Sequence, residues 1–120
     1  MVKKKILLVD DSPIIQAAAQ FTLVQAGYAV ELRATFDELM TKPIDGFDLI
    51  LMDVQMPELY GDDVAMVLRH ERGVKTPLYL FSTLPDADLE ERATSARVDG
   101  FISKARGMDH MLERVREILP

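Results

Sequence analysis

Apolar positions in this chain gather into five short runs, each followed by a stretch with helical spacing. Ile6–Val9, Ala29–Arg33, Leu49–Met52, Leu78–Phe81 and Gly100–Ser103 read as strands. Leu49-Ile50-Leu51-Met52 is apolar at every position, as in a strand covered on both faces. The helices carry start and stop signals. Ser12-Pro13 places an N-cap before a first-turn proline, and the helix it opens runs to about Ala26, where Gly27 ends it. Thr35-Phe36-Asp37-Glu38 matches a capping box, and its helix stops before Pro43. A third helix is predicted from about Asp62 to Arg72, with two acids at the positive end of its dipole and Gly73 after it. A fourth spans about Asp86 to Arg97 and a fifth about Met108 to Leu119.

Strict alternation of strands and helices with short connections implies a parallel sheet covered on both faces. The predicted fold is a flavodoxin-like (βα)5 doubly wound sandwich with strand order 2-1-3-4-5. Ligands of such sheets sit at the carboxyl ends of the strands. At 120 residues, 48% of them apolar, residues 1–120 read as one globular domain. A formal net charge of −6 argues against direct nucleic-acid binding by this segment, which needs a basic face, and the short Lys3-Lys4-Lys5 run does not alter that. The absence of cysteine excludes disulfides, thiolate metal sites and thiol nucleophiles. No apolar run reaches the ~18 residues of a membrane span, and no signal-peptide pattern opens the chain, so a cytoplasmic location is expected.

Polar residues that end the strands carry the chemistry. The first strand ends in Asp10-Asp11, the third in Asp53, the fourth in Ser82-Thr83, and Lys104 follows the fifth. The predicted strand order gathers them at one edge. One of the adjacent acids capping the helix while the other is solvated is the plain reading of Asp10-Asp11 alone, as a strand-ending hydroxyl is of Ser82 and a loop cation of Lys104. Together they form a set of three carboxylates, which repel unless compensated. A hard divalent cation such as Mg²⁺, with Lys104, supplies the matching charge. The same charges would neutralise a phosphoryl group in transfer, with Asp53 as the nucleophile.

Val9-Asp10-Asp11-Ser12, Met52-Asp53-Val54-Gln55-Met56-Pro57 with Gly61, Phe81-Ser82-Thr83, and Gly100-Phe101-Ile102-Ser103-Lys104 occur in order at the strand ends. On these stretches the chain resembles the receiver domain of two-component response regulators over essentially its whole length, most closely the single-domain, chemotaxis-type kind. The resemblance implies a phosphoacceptor regulator, not an enzyme in its own right. Asp53 would accept a phosphoryl group from a histidine kinase or phosphotransfer protein as part of a phosphorelay. Asp10, Asp11, Asp53 and the backbone carbonyl of Gln55 would hold Mg²⁺. Ser82 would hydrogen-bond a phosphoryl oxygen and Lys104 would pair with it, while Phe101 occupies the aromatic switch position. Phosphorylation would change binding of a downstream protein or output domain through the face of helix four, strand five and helix five. Arg92, Arg97, Arg106 and Glu113 are expected near that face. Homodimerisation on activation stays open, with no residue pointing to it.

Two features depart from the family pattern. Lys104 is followed by Ala105, not proline, and a non-proline cis bond costs ~3 kcal/mol, so this loop is expected to be trans or strained. Thr83 stands where a smaller residue is usual, narrowing the approach or adding a hydroxyl. Leu84 and Gln55 fall where attack by water is tuned, and the bulk of Leu84 predicts a long-lived phosphate. The main alternative is a receiver-like module that binds a partner constitutively without productive phosphorylation. A Mg²⁺-dependent phosphatase would carry a second Asp at position 55, where this chain has Gln, and no Gly-rich phosphate loop supports a nucleotide or flavin carrier. His70 and His110 have no partner at metal spacing, and Pro57 and Gly61 are expected to shape the loop after Asp53.

Overall fold

The computed structural model describes residues 2–56 and 59–120. Among them, five parallel strands alternate with five α-helices in the order β1 (Lys5–Val9), α1 (Pro13–Gln25), β2 (Ala29–Arg33), α2 (Phe36–Thr41), β3 (Leu49–Met52), α3 (Gly61–His70), β4 (Leu78–Ser82), α4 (Asp86–Ala96), β5 (Gly100–Ser103) and α5 (Gly107–Ile118). The sheet order is β2-β1-β3-β4-β5, the expected doubly wound arrangement. Among the described residues no helix is long and apolar enough to cross a membrane.

Two cores form because consecutive strand residues point to opposite faces. Leu7, Val9, Ile50, Met52, Leu78 and Leu80 meet Leu39, Val64, Ala65, Leu68, Leu89 and Ala93 of α2, α3 and α4. Ile6, Leu8, Leu49, Leu51, Phe81 and Ile102 meet Ala19, Leu23, Met111 and Val115 of α1 and α5. Each fully buried aliphatic side chain contributes about 1.5–3 kcal/mol, so these two layers supply most of the favourable free energy.

The capping signals resolve as hydrogen bonds. Ser12 Oγ accepts from the N–H of Ile15 at 3.3 Å, ahead of Pro13 in the first turn of α1. Thr35 Oγ1 accepts from the N–H of Glu38 at 3.0 Å, while Glu38 Oε2 reaches one residue further back than a capping box requires, to the N–H of Ala34 at 2.8 Å. α3 ends at His70, two residues short of the expected Arg72. Arg69 stitches this end down: its guanidinium donates to the carbonyls of Val74 and Thr76 and to Asp99 Oδ2 at 2.7, 2.8 and 2.6 Å.

Candidate functional site

The strand register carries the polar residues past the sheet's carboxyl edge. Asp10 continues β1, its N–H donating to the carbonyl of Arg33 at 3.0 Å, and Asp53 continues β3, donating to the carbonyl of Val9 at 2.8 Å. These two bonds seat both carboxylates beside each other on neighbouring central strands. Asp10 is fully buried and Asp53 nearly so, at 4% exposure, whereas Asp11 reaches solvent. Oxygens of Asp10, Asp11 and Asp53 lie within 4.8 Å of one another.

Lys104 joins this group from the far side of the sheet. It opens a short 3-10 turn over Lys104–Arg106 that leads from β5 into α5. Its Nζ lies 2.5 Å from Asp10 Oδ2, 3.4 Å from Asp53 Oδ1 and 5.2 Å from the centre of the Phe81 ring. Oδ2 of Asp10 is buried, and this ammonium is its neighbour. Among the described residues no peptide bond is cis, so the Lys104-Ala105 bond is trans and Lys104 still reaches the carboxylates.

Backbone groups complete the frame. Asp10 Oδ1 accepts from the N–H of Ser12 at 2.9 Å, and Gln16 Nε2 donates to the carbonyl of Asp10 at 2.6 Å. Asp53 Oδ1 accepts from the N–H of Gln55 at 3.2 Å. Gln16 has no signal in the sequence, and Phe81, within the Phe81-Ser82-Thr83 stretch, carries no sign there of its place beside Lys104. Gly61 packs on the backbone of Asp53, where a Cβ would stand 1.7 Å from the carbonyl oxygen, so only glycine fits. Pro57 lies outside the described residues.

Burial pushes the Asp53 carboxyl up from 3.8 to about 6. Lys104 opposes that rise, the charge of Asp10 adds to it, and the N–H of Gln55 opposes it in turn. The buried carboxylates are thus under-compensated by one ammonium. The residues fit a small divalent cation: every donor is a hard oxygen, and three carboxylates converge.

The remaining candidates surround this cluster. Ser82, fully buried at the end of β4, accepts from the N–H of Leu84 at 3.2 Å through its Oγ. Thr83 is exposed, with its Oγ1 3.5 Å from Gln55 Oε1, so it adds a hydroxyl at the rim. Leu84 and Phe101 are half-buried and pack against the core beneath α2, α3 and α4. Phe101 also lines a cavity of about 290 Å³ with Asp86, Ser103, Arg106, His110 and Arg114. Of the cations expected on the α4-β5-α5 face, Arg106 pairs with Asp86 at 2.9 Å, but Arg92 turns away toward α3 and pairs with Asp62 at 3.1 Å.

Comparison with known proteins agrees with this geometry. The sequence profile described as "Response regulator receiver domain" matches residues 6–116, and the chain belongs to that family. A gliding motility regulatory protein of Myxococcus xanthus is 34% identical over 102 residues, covering 83% of this chain and 13% of its own length. The chain spans about half the length of several regulatory proteins it also matches (50, 52 and 49%). The chemotaxis response regulator CheY4 of Vibrio cholerae superposes with TM-score 0.86 at 28% identity, covering 98% of this chain and 99% of that one. The response regulator TrrA of Thermotoga maritima, solved in complex with Mg²⁺-BeF, superposes with TM-score 0.80 at 25% identity over 96% and 98% of the two chains. Receiver domains are regulatory modules of two-component systems, and the acidic pocket here suits Mg²⁺ and aspartyl phosphorylation.

Proposed function

We propose that residues 1–120 act as one receiver unit, a cytoplasmic switch in which Asp53 accepts a phosphoryl group from a histidine kinase or phosphotransfer protein. One observation carries this reading: the oxygens of Asp10, Asp11 and Asp53 meet within 4.8 Å, with Lys104 Nζ 3.4 Å from Asp53. Asp10, Asp11, Asp53 and the backbone carbonyl of Gln55 would hold Mg²⁺. When bound, the ion supplies positive charge against which the phosphoryl oxygens are stabilised. The complex of Mg²⁺-BeF with a related receiver is a parallel for that arrangement.

The steps fall to the chain's own groups. An Asp53 carboxylate oxygen forms the new O–P bond as the donor's P–N bond to imidazole breaks, yielding an aspartyl phosphate and a free histidine. Lys104, held among Asp10, Asp53 and the Phe81 ring, is positioned to neutralise the transferred group. Its burial, at 7% side-chain exposure, strengthens that attraction relative to water. Ser82 Oγ now accepts from Leu84 N–H, and turning its hydroxyl toward a phosphoryl oxygen exchanges that bond for a stronger, charged one. The loop from β4 to α4 then moves, and Phe101 and the α4-β5-α5 face follow, changing the affinity for a downstream protein or output domain. A lysine that contacts both carboxylates without a following proline favours phosphorylation over the constitutive-binding alternative.

Intact-mass analysis after incubation with acetyl phosphate and Mg²⁺ tests the proposal. A single phosphoryl adduct that requires Mg²⁺ and vanishes in Asp53→Asn is the expected result. A folded protein that takes no adduct and releases no phosphate would overturn it.

A further inference from the structure

Residues 60–62, downstream of Asp53, are held from two sides. On the inner side Gly61 lies against the Asp53 carbonyl, its N–H donates to the carbonyl of Val54 at 2.8 Å, and Tyr60 forms an antiparallel bridge with Gln55. On the outer side stands Arg92 of α4. Its Nη1 lies 3.2 and 3.1 Å from the two carboxylate oxygens of Asp62, and its guanidinium stacks 5.2 Å from the centre of the Tyr60 ring. The ion pair is partly shielded, with side chains 33% and 15% exposed, so water screens it less than an open surface pair. Residues 60–62 thus sit between the acceptor's backbone and one arginine of the helix expected to move on phosphorylation.

We propose that Arg92 is a positioning residue for the phosphoacceptor loop. Clamping Tyr60 and Asp62 holds Gly61 against Asp53 and fixes the Gln55 backbone, and so couples the position of α4 to the order of the pocket. The coupling runs both ways by linkage: whatever α4 does to the affinity of the pocket, occupancy of the pocket does to α4. In its consequences for Mg²⁺ the proposal rests on the function argued above; the clamp itself does not. A planar, stacked guanidinium suits the role, since one group meets a carboxylate edge-on and a ring face-on, which a lysine cannot do together.

Hydrogen exchange of the metal-free protein, followed residue by residue by NMR, tests the clamp directly. Arg92→Ala is expected to speed exchange at the Gly61 amide about tenfold relative to core amides of β3 such as Ile50, a local opening that general destabilisation would not produce. Arg92→Lys should recover part of the loss, and Asp62→Asn should shift exchange in the same direction by less. Equal exchange at Gly61 in wild type and Arg92→Ala would overturn the proposal, as would equal acceleration at Gly61 and Ile50. A Mg²⁺ titration of the same samples reads the coupling, with the affinity of Arg92→Ala expected about threefold to tenfold weaker. A wild type that binds no Mg²⁺ would overturn the functional reading instead, and the exchange result would still decide the clamp.

Discussion

Asp53 holds its place at a cost that pH exposes. A carboxylate so enclosed is partly stripped of water, and Lys104 offsets that loss only in part while Asp10 adds repulsion. With the folded carboxyl raised to about 6 from 3.8, the folded state binds the proton more tightly than the unfolded chain. The stability tied to that proton is complete below pH 3.8 and is lost as pH rises through about 6. Asp53→Asn removes the ionisation while keeping the shape. In chelator the variant is therefore expected to exceed wild type in stability by about 1–3 kcal/mol at pH 7, with the difference shrinking toward pH 4. Urea unfolding of both proteins from pH 4 to 7 measures this, and the difference between them isolates Asp53 from the other acids. Adding Mg²⁺ should narrow the gap by stabilising wild type more than the variant, which keeps Asp10 and Asp11 but loses one carboxylate ligand, because a cation that binds only the folded state draws the equilibrium toward it. A gap independent of pH would mean that the carboxylate is not desolvated in solution.

At the level of elements, what was readable in advance tracks how local the cause is. β1 and β3 show as continuous apolar runs because burial on both faces leaves no room for polar residues. The N-cap at Ser12 shows because capping lies within three residues of sequence. Which way a helix is turned about its axis depends on packing partners far along the chain, so the sequence places Arg92 near the α4-β5-α5 face while in the fold it points at α3. The close approach of Gly61 to Asp53, and the ring of Phe81 under Lys104, likewise come from tertiary contacts without a local pattern. The C-terminus of α4 shows the same limit. Arg97 ends the helix in the left-handed conformation, φ 58° and ψ 39°, where glycine is the usual residue. A side chain there crowds its own carbonyl at a cost of about 1–2 kcal/mol, part of which glycine returns to the unfolded chain as entropy. Arg97→Gly is expected to stabilise the protein by about 0.5–1 kcal/mol in a thermal or urea melt, while Arg97→Ala, which keeps the Cβ, should change little. Equal effects from both variants would assign the change to the arginine side chain and not to the backbone.

Across the whole molecule, the pocket opens at the carboxyl edge of the sheet, and the surface beside that opening is unusual. α1 starts directly after the Asp10-Asp11-Ser12 turn and carries no charged residue in its sequence, PIIQAAAQFTLVQ. Ile14, Phe21 and Val24 are 79, 67 and 45% exposed, at spacings of seven and three residues that set them along one side of the helix. On the function proposed above, this apolar face beside the Asp10-Asp11 turn is surface that a protein phosphodonor would bury. A small donor has no use for that face, since it needs only the pocket. Phe21→Glu is therefore expected to leave labelling by acetyl phosphate unchanged while slowing transfer from a protein donor about tenfold or more, the loss typical of an anchoring aromatic at an interface. Phosphorylation time courses with the two donors in parallel measure it, and the small donor serves as a control for folding and pocket chemistry at once. Equal slowing with both donors would place the effect in the pocket, and no slowing with either would take α1 out of the donor interface.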